Sequence, residues 1–362
     1  MFYQFLYQLK DVWFGFNLFK YITFRAIMAA VTSFLICVIT GPIIIKMLKK
    51  FNIGQYVRRE HVENLYDLHK HKEGTPTMGG LIVVIAVVVS VLLWCRLDSD
   101  YVILVLAGMV WLGVIGFTDD MMKLRSKSAK GIRAVTKLSG QVILALIVGL
   151  FVIKNNAIGT ELYLPFVKNA VCNLGSFYIL FVLLVIAGAS NAVNLTDGLD
   201  GLAIGCVVFV TTTYAVISYV TGHAGLSGYL QVFYLPGAGE LTIFCAALTG
   251  AGLGFLWFNC HPASVFMGDT GSLSLGGAIA IISVLTKKEV LLLITGGVIV
   301  AEALSVILQV FSFKLRKKRI FLMSPIHHHF QIKGWHESKI TIRFWIIAAI
   351  LAFISIATLK VR

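Results

Sequence analysis

Charge is scarce in this 362-residue chain: Asp, Glu, Lys and Arg make up 13% of it, against roughly a quarter in ordinary soluble domains. Only 17 residues are acidic, while 58% are hydrophobic, so water is excluded as the main solvent of the fold. The six cysteines (Cys37, Cys95, Cys172, Cys206, Cys245 and Cys260) are scattered, mostly within or at the ends of apolar runs, and form no Cys-x-x-Cys pair. They read as small hydrophobes rather than as a metal or disulfide framework. The first 20 residues have neither a basic start nor a small-residue cleavage site, so no removable signal peptide is expected. Phe2, Tyr3, Phe5, Leu6, Trp13, Phe14 and Phe16 suggest instead a segment lying at a membrane interface.

Long apolar runs fill the rest. About 20 mostly apolar residues cross the roughly 30 Å of bilayer hydrocarbon, and such runs recur from Tyr21 to Leu359. They predict an all-α integral membrane protein, one polytopic domain over residues 1–362. About ten spans are expected: Tyr21–Ile45, Met78–Cys95, Tyr101–Phe117, Leu138–Ile153, Leu174–Val193, Leu202–Val220, Leu241–Phe258, Gly271–Thr286, Val290–Phe313 and Ile342–Leu359. Gly296-Gly297 predicts a kink or break in the ninth, and Gly250, Gly252 and Gly254 predict close helix approach.

Loops one, three and nine carry the basic residues, among them Lys46, Lys49, Arg58 and Lys72, then Lys123, Arg125 and Lys127, then Lys314, Arg316 and Arg319. Being odd-numbered, they share one side, which the positive-inside rule makes the cytoplasm, with both termini periplasmic. The formal charge of +14 then suits lipid headgroups and anionic substrates better than nucleic acid. Alternation also puts loops five and seven in the cytoplasm, although they hold no Lys or Arg. Five polar loops thus converge on one face, and clustered carboxylates there need solvent, a partner or a cation.

Asp119 and Asp120 end the third span; as helical neighbours their side chains would diverge by about 100°. They could equally mark a helix end beside Lys123 and Arg125. Asp197 and Asp200 share a face if their stretch is helical, or serve a tight loop, since Asp-Gly suits turns. Asp269 could cap the eighth span or ligate an ion. Carboxylates from separate loops are the hard oxygen donors Mg²⁺ prefers, and such an ion spreads charge in phosphoryl transfer.

His327-His328-His329 follow Ser324-Pro325 in the ninth loop. Adjacent histidines are badly spaced for one tetrahedral zinc ion, so phosphate or sugar contacts, or a solvated turn, are the alternatives. Gly74-Thr75-Pro76-Thr77-Met78-Gly79-Gly80 opens the second span. No Gly-Lys-Ser/Thr follows, so it is not a Walker A loop; its backbone could face an anion, or its small residues could serve packing. Glu302 is the one acid placed deep in a span, where an interhelical hydrogen bond is the favoured use.

These motifs, with Asn191 to Gly201 and Phe266-Met267-Gly268-Asp269, strongly resemble the phospho-N-acetylmuramoyl-pentapeptide transferase family, of the polyprenyl-phosphate N-acetylhexosamine-1-phosphate transferases, through nearly the whole chain. The resemblance implies transfer of phospho-N-acetylmuramoyl-pentapeptide from its UDP carrier to undecaprenyl phosphate, giving lipid I and UMP in the bacterial inner membrane, with Mg²⁺ as cofactor and a homodimer as the assembly. It implies Asp269 as the Mg²⁺ ligand, and Asp119, Asp120, Asp269 and His327 as catalytic residues. Asn194, Asp197, Asp200 and Asn259 would lie on the nucleotide side, with Phe266 stacked on uracil. Lys72, Thr77, Lys123, Lys127, His328 and His329 would contact substrate. The rival within the class is transfer of N-acetylglucosamine-1-phosphate to a polyprenyl phosphate. From another class the rival is an ion-coupled transporter, which would place its acids near mid-membrane.

Overall fold

The computed structural model describes residues 1–50, 74–126 and 131–360. Lys72 and Lys127 therefore lie outside the described residues. Among those described, nine helices are long and apolar enough to cross a membrane, and the protein is a mostly helical, multi-pass membrane protein of the all-α class. Fourteen α-helices follow in chain order: α1 Phe2–Leu6, α2 Ile22–Lys50, α3 Gly80–Trp94, α4 Asp100–Arg125, α5 Ala134–Lys154, α6 Tyr178–Thr196 and α7 Leu202–Gly222; then α8 Ala224–Leu230, α9 Gly239–Asn259, α10 Gly268–Leu285, α11 Leu292–Thr295, α12 Gly297–Arg316, α13 Ile326–Ile332 and α14 Glu337–Ala357. A two-residue antiparallel ribbon, β1 Glu161–Leu162 with β2 Cys172–Asn173, lies between α5 and α6.

All ten expected spans find a helix, two of them with altered proportions. The second, α3, has 15 residues and so rises only about 22 Å. The third runs on past Phe117 to Arg125, because Met121, Met122, Leu124 and the charged residues between them are good helix formers and no Gly or Pro intervenes. Asp119, Asp120 and Lys123 are thereby carried on one rigid rod. The ninth is broken as expected, with Gly296 outside helical geometry between α11 and α12.

The centre of the bundle is α10, in which every residue from Asp269 to Leu285 is buried. Its main packing partners are α4 and α6. Small side chains make this possible: a Cβ on Gly80 would fall 2.2 Å from the backbone of Gly271, and one on Gly116 2.2 Å from the Asp269 carbonyl oxygen. Close approach of backbones replaces the hydrophobic drive that lipid cannot supply between helices. Gly250 and Gly254 of α9 act likewise against α2, where a Cβ on Gly250 would lie 2.0 Å from the Ala30 carbonyl, while Gly252 faces Val208 of α7. Ile39, Trp257, Phe311 and Phe353 remain exposed on the flanks, as expected of surfaces facing lipid rather than water.

Candidate active site

The C-terminal end of α4 meets the first turn of α10, and three buried carboxylates meet there. Asp119, Asp120 and Asp269 each offer an oxygen within 4.8 Å of the others. The two neighbours on α4 do diverge, and they do different things. Asp120 is the N-terminal cap of α10, supplied from another helix: its Oδ1 accepts from the Asp269 N–H at 3.2 Å and its Oδ2 from the Thr270 N–H at 2.9 Å and hydroxyl at 2.8 Å. A carboxylate at a helix N-terminus satisfies otherwise orphaned donors and complements the helix dipole. Asp119 turns instead toward the basic side, accepting from the Ile132 N–H at 2.7 Å.

Two ammonium groups sit among these carboxylates. Lys123 Nζ lies 2.6 Å from Asp119 and 3.2 Å from Asp269, and Lys137 Nζ lies 2.9 Å from Asp119 and 2.5 Å from Asp269. Three carboxylates against two lysines leave one negative charge, and Asp119 and Asp269 are the members whose oxygens are not committed to backbone donors of α10. The hard-oxygen donor set fits Mg²⁺.

Asp197 and Asp200 lie in a turn between α6 and α7, not on a helical face. They point to different places. Asp197 accepts from the Gly268 N–H at 3.3 Å, so it too holds the start of α10. Burial, with the carboxylates of Asp269, Asp120 and Asp200 adding to it against the Gly268 N–H, pushes the Asp197 carboxyl up to about 7. Asp200 accepts from His261 Nδ1 at 3.0 Å and the Ala263 N–H at 3.1 Å. Asn259 ties the same turn to the next motif, accepting from the Gly201 N–H at 3.1 Å and donating to the Val265 carbonyl at 2.8 Å. Asn194 sits at the C-terminal end of α6, its carbonyl accepting from the Asp197 N–H.

The glycine-rich opening of α3 is used for packing. Gly79 and Gly80 donate to the carbonyls of Phe266 and Met267, and Phe266 donates to the Pro76 carbonyl, each at 2.8 Å. Thr77 and Asp120 both crowd Gly268, whose φ of +72° calls for glycine; a Cβ there would lie 3.1 Å from Thr77 Oγ1 and 2.8 Å from Asp120 Oδ2. Phe266 and Asp269 are thus fixed from both sides.

His327 is fully buried on α13, and its Nδ1 lies 3.1 Å from Glu302 Oε2 on α12. The interhelical bond expected of Glu302 is therefore made. The other edge of the ring faces the Asp197 turn: a Cβ on Gly198 would fall 2.2 Å from His327 Nε2. His328 Nδ1 pairs with Gln331 Oε1 at 2.8 Å, and His329 Nδ1 accepts from the Leu322 N–H at 3.1 Å. Through contacts of His327 with Gly198, Asp197 with Gly268 and Asp120 with Thr270, four distant stretches of chain form one centre at one end of the bundle. That placement is not the mid-bundle arrangement of a transporter.

Residues 102–287 match the family model for glycosyl transferase family 4. Curated relatives from Citrifermentans bemidjiense, Geobacter sp. (strain M21) and Desulfotalea psychrophila are 52%, 53% and 51% identical, each over 100% of both chains, and each bears the name phospho-N-acetylmuramoyl-pentapeptide-transferase. The chain belongs to that transferase family.

Within this transferase site, sequence reasoning missed Lys137. It lies one residue before Leu138, the expected start of the fourth span, although the helix begins at Ala134, and its charge had no visible partner in sequence. Gly131 was missed for the same reason: a Cβ there would meet Asp119 Oδ1 at 2.2 Å, so the approach of this loop to the carboxylate depends on glycine. A second group of possible ligands, Asp200, His261 and Glu337, lies within 4.8 Å; of these, His261 and Glu337 carried no signal in the sequence.

Proposed function

We propose that this chain transfers phospho-N-acetylmuramoyl-pentapeptide from its UDP carrier to undecaprenyl phosphate, giving lipid I and UMP in the bacterial inner membrane, with both termini periplasmic. Identity of about half over the full length to relatives of that name carries the reading. The buried centre of Asp119, Asp120 and Asp269 with two lysines supplies chemistry suited to it. A polyprenyl phosphate keeps its tail in hydrocarbon and its head at the inner interface, so reacting groups belong at helix ends, on the cytosolic side where the nucleotide arrives.

Asp269, with Asp119 beside it, would hold Mg²⁺. The ion, when bound, neutralises charge on the phosphate oxygens. We favour direct attack: an oxygen of the lipid phosphate forms a bond to the phosphorus bearing the sugar, and the pyrophosphate bond to UMP breaks. Asp119 is the better candidate to take a proton from the lipid phosphate, because both oxygens of Asp120 are occupied by donors of α10. Lys123 and Lys137 would carry phosphate charge as it shifts to the leaving group, and Lys72 and Lys127 would add to it. Phe266 would stack on uracil, beside Asn194, Asp197, Asp200 and Asn259, while Thr77, His327, His328 and His329 would meet the sugar-phosphate end.

The purified full-length protein tests this directly. UMP is expected only when UDP-N-acetylmuramoyl-pentapeptide, undecaprenyl phosphate and Mg²⁺ are all present, and not when UDP-N-acetylglucosamine replaces the first. Metal-independent release, or faster turnover of the N-acetylglucosamine nucleotide, counts against it. Scattering or crosslinking of the detergent-solubilised protein checks the proposed homodimer.

A further inference from the structure

The last helix grips the Asp197–Gly201 turn through a stripe of three side chains. Glu337, Thr341 and Trp345 recur every four residues on α14, so they lie along one helical face. Glu337 Oε1 accepts from the Asp200 N–H at 2.7 Å, Thr341 Oγ1 donates to the Asp200 carbonyl at 3.3 Å, and Trp345 Nε1 donates to the Gly201 carbonyl at 3.2 Å. Asn259 takes the remaining Gly201 N–H. Every main-chain polar group of Asp200 and Gly201 is thus met by a side chain from another segment.

The turn needs such a grip. The Gly201 carbonyl also opens α7 by accepting the Gly205 N–H at 3.0 Å, but Gly201 itself stands at φ +72°, outside helical geometry, so the Asp200 backbone before it leans on partners from other segments. The fit is close: a Cβ on Gly205 would fall 2.0 Å from Trp345 Nε1. Glu337 and Thr341 are buried, where an unmet polar group is costly. Glu337 Oε2 also lies 4.0 Å from His261 Nδ1, the ring that meets the Asp200 carboxylate.

We infer that Glu337, Thr341 and Trp345 are positioning residues that hold the Asp197–Gly201 turn in the shape that binds the nucleotide, and so set affinity for the UDP-linked donor without touching the transferred phosphate. This rests on the reading that Asp197 and Asp200 face the nucleotide. The turn meets the start of α10 through the Gly268 N–H, a backbone group and not a reacting carboxylate, whereas α14 meets the turn backbone directly. Loosening the grip therefore acts first on donor binding.

Steady-state kinetics of the full-length protein separate the outcomes. Glu337→Ala should raise KM for UDP-N-acetylmuramoyl-pentapeptide about fivefold, the worth of one lost hydrogen bond, with KM for undecaprenyl phosphate and kcat within about twofold. Glu337→Gln should restore most of that affinity, since its amide oxygen accepts the same N–H. Thr341→Val and Trp345→Phe should shift the same constant in the same direction, and they carry the test if Glu337→Ala does not fold. A fall in kcat with donor KM unchanged, an equal rise for both substrates, or Glu337→Gln no better than Glu337→Ala overturns the inference. Phe266→Ala isolates the underlying reading: if it raises donor KM while the α14 variants do not, only the grip is wrong; if it leaves donor KM unchanged, the nucleotide assignment falls and the inference with it.

Discussion

Thr270 donates both its backbone N–H and its hydroxyl to one oxygen of Asp120, at 2.9 and 2.8 Å. With the Asp269 N–H on the other oxygen, the acid on α4 fixes the first turn of α10 and with it the direction of the Asp269 side chain. Of two adjacent aspartates, one builds the site and the other is left to work in it.

Asp120→Ala should therefore cost stability as well as activity. It strands buried donors, each worth about 1–3 kcal/mol, so a fall in melting temperature is expected together with loss of UMP release. Asp119→Ala should abolish turnover with a smaller thermal shift, because it frees two lysines that can reach Asp269 or water. Melting curves of both variants in the same detergent check the contrast; an Asp120→Ala protein as stable as the wild type removes the capping role.

Lys137 bridges Asp119 and Asp269, in the space a divalent ion would share. Lys137→Ala should slow UMP release at least tenfold, an amount of about 1.4 kcal/mol. It should not weaken Mg²⁺ binding, since a competing positive charge is gone from the cluster. Calorimetric titration of Mg²⁺ beside the kinetics checks both halves; weaker Mg²⁺ binding would mean that the lysine props the ion site open.

The break at Gly296 was legible because two glycines interrupt an apolar run, and the gathering of polar loops was legible because Lys and Arg mark alternate loops. Geometry between segments was not. Hydropathy falls at Thr118, yet the helix continues to Arg125, because the backbone of α4 follows helix propensity and packing on α10 rather than the edge of the apolar run. Spacing put Asp197 and Asp200 on one face if helical, but the turn sends one to Gly268 and the other to His261. Lys137 and Glu337 gain their meaning from partners as far as 132 and 137 positions away, a relation that no local pattern encodes.

Mg²⁺ should stabilise the folded protein through Asp269. A ligand bound only by the native state at 100 times its Kd adds about 2.7 kcal/mol, so saturating Mg²⁺ should raise the melting temperature of the wild type. Asp269→Asn should lose that rise and most UMP release while still folding, since the Asp120 cap binds the backbone of residue 269 and not its side chain. Thermal scans with EDTA and with Mg²⁺ check this, and an undiminished Mg²⁺ effect in the variant would move the ion elsewhere.

Gly198 and His327 pack so closely that a methyl group separates two explanations of the histidine. The ring is fixed at Nδ1 by Glu302, and a Cβ on Gly198 would stand 2.2 Å from Nε2. Gly198→Ala must therefore push the ring off its carboxylate or push the Asp197 turn off α10, and overpacking of this kind costs about 1–3 kcal/mol. If His327 acts only as packing, the variant should lose stability and keep its turnover at permissive temperature. If its place beside the turn matters to the reaction, turnover should fall at least tenfold below the melting range, about 1.4 kcal/mol, and Glu302→Ala should mimic it by freeing the ring from the other side. We expect the second pattern, and equal turnover in Gly198→Ala and wild type at low temperature would refute it.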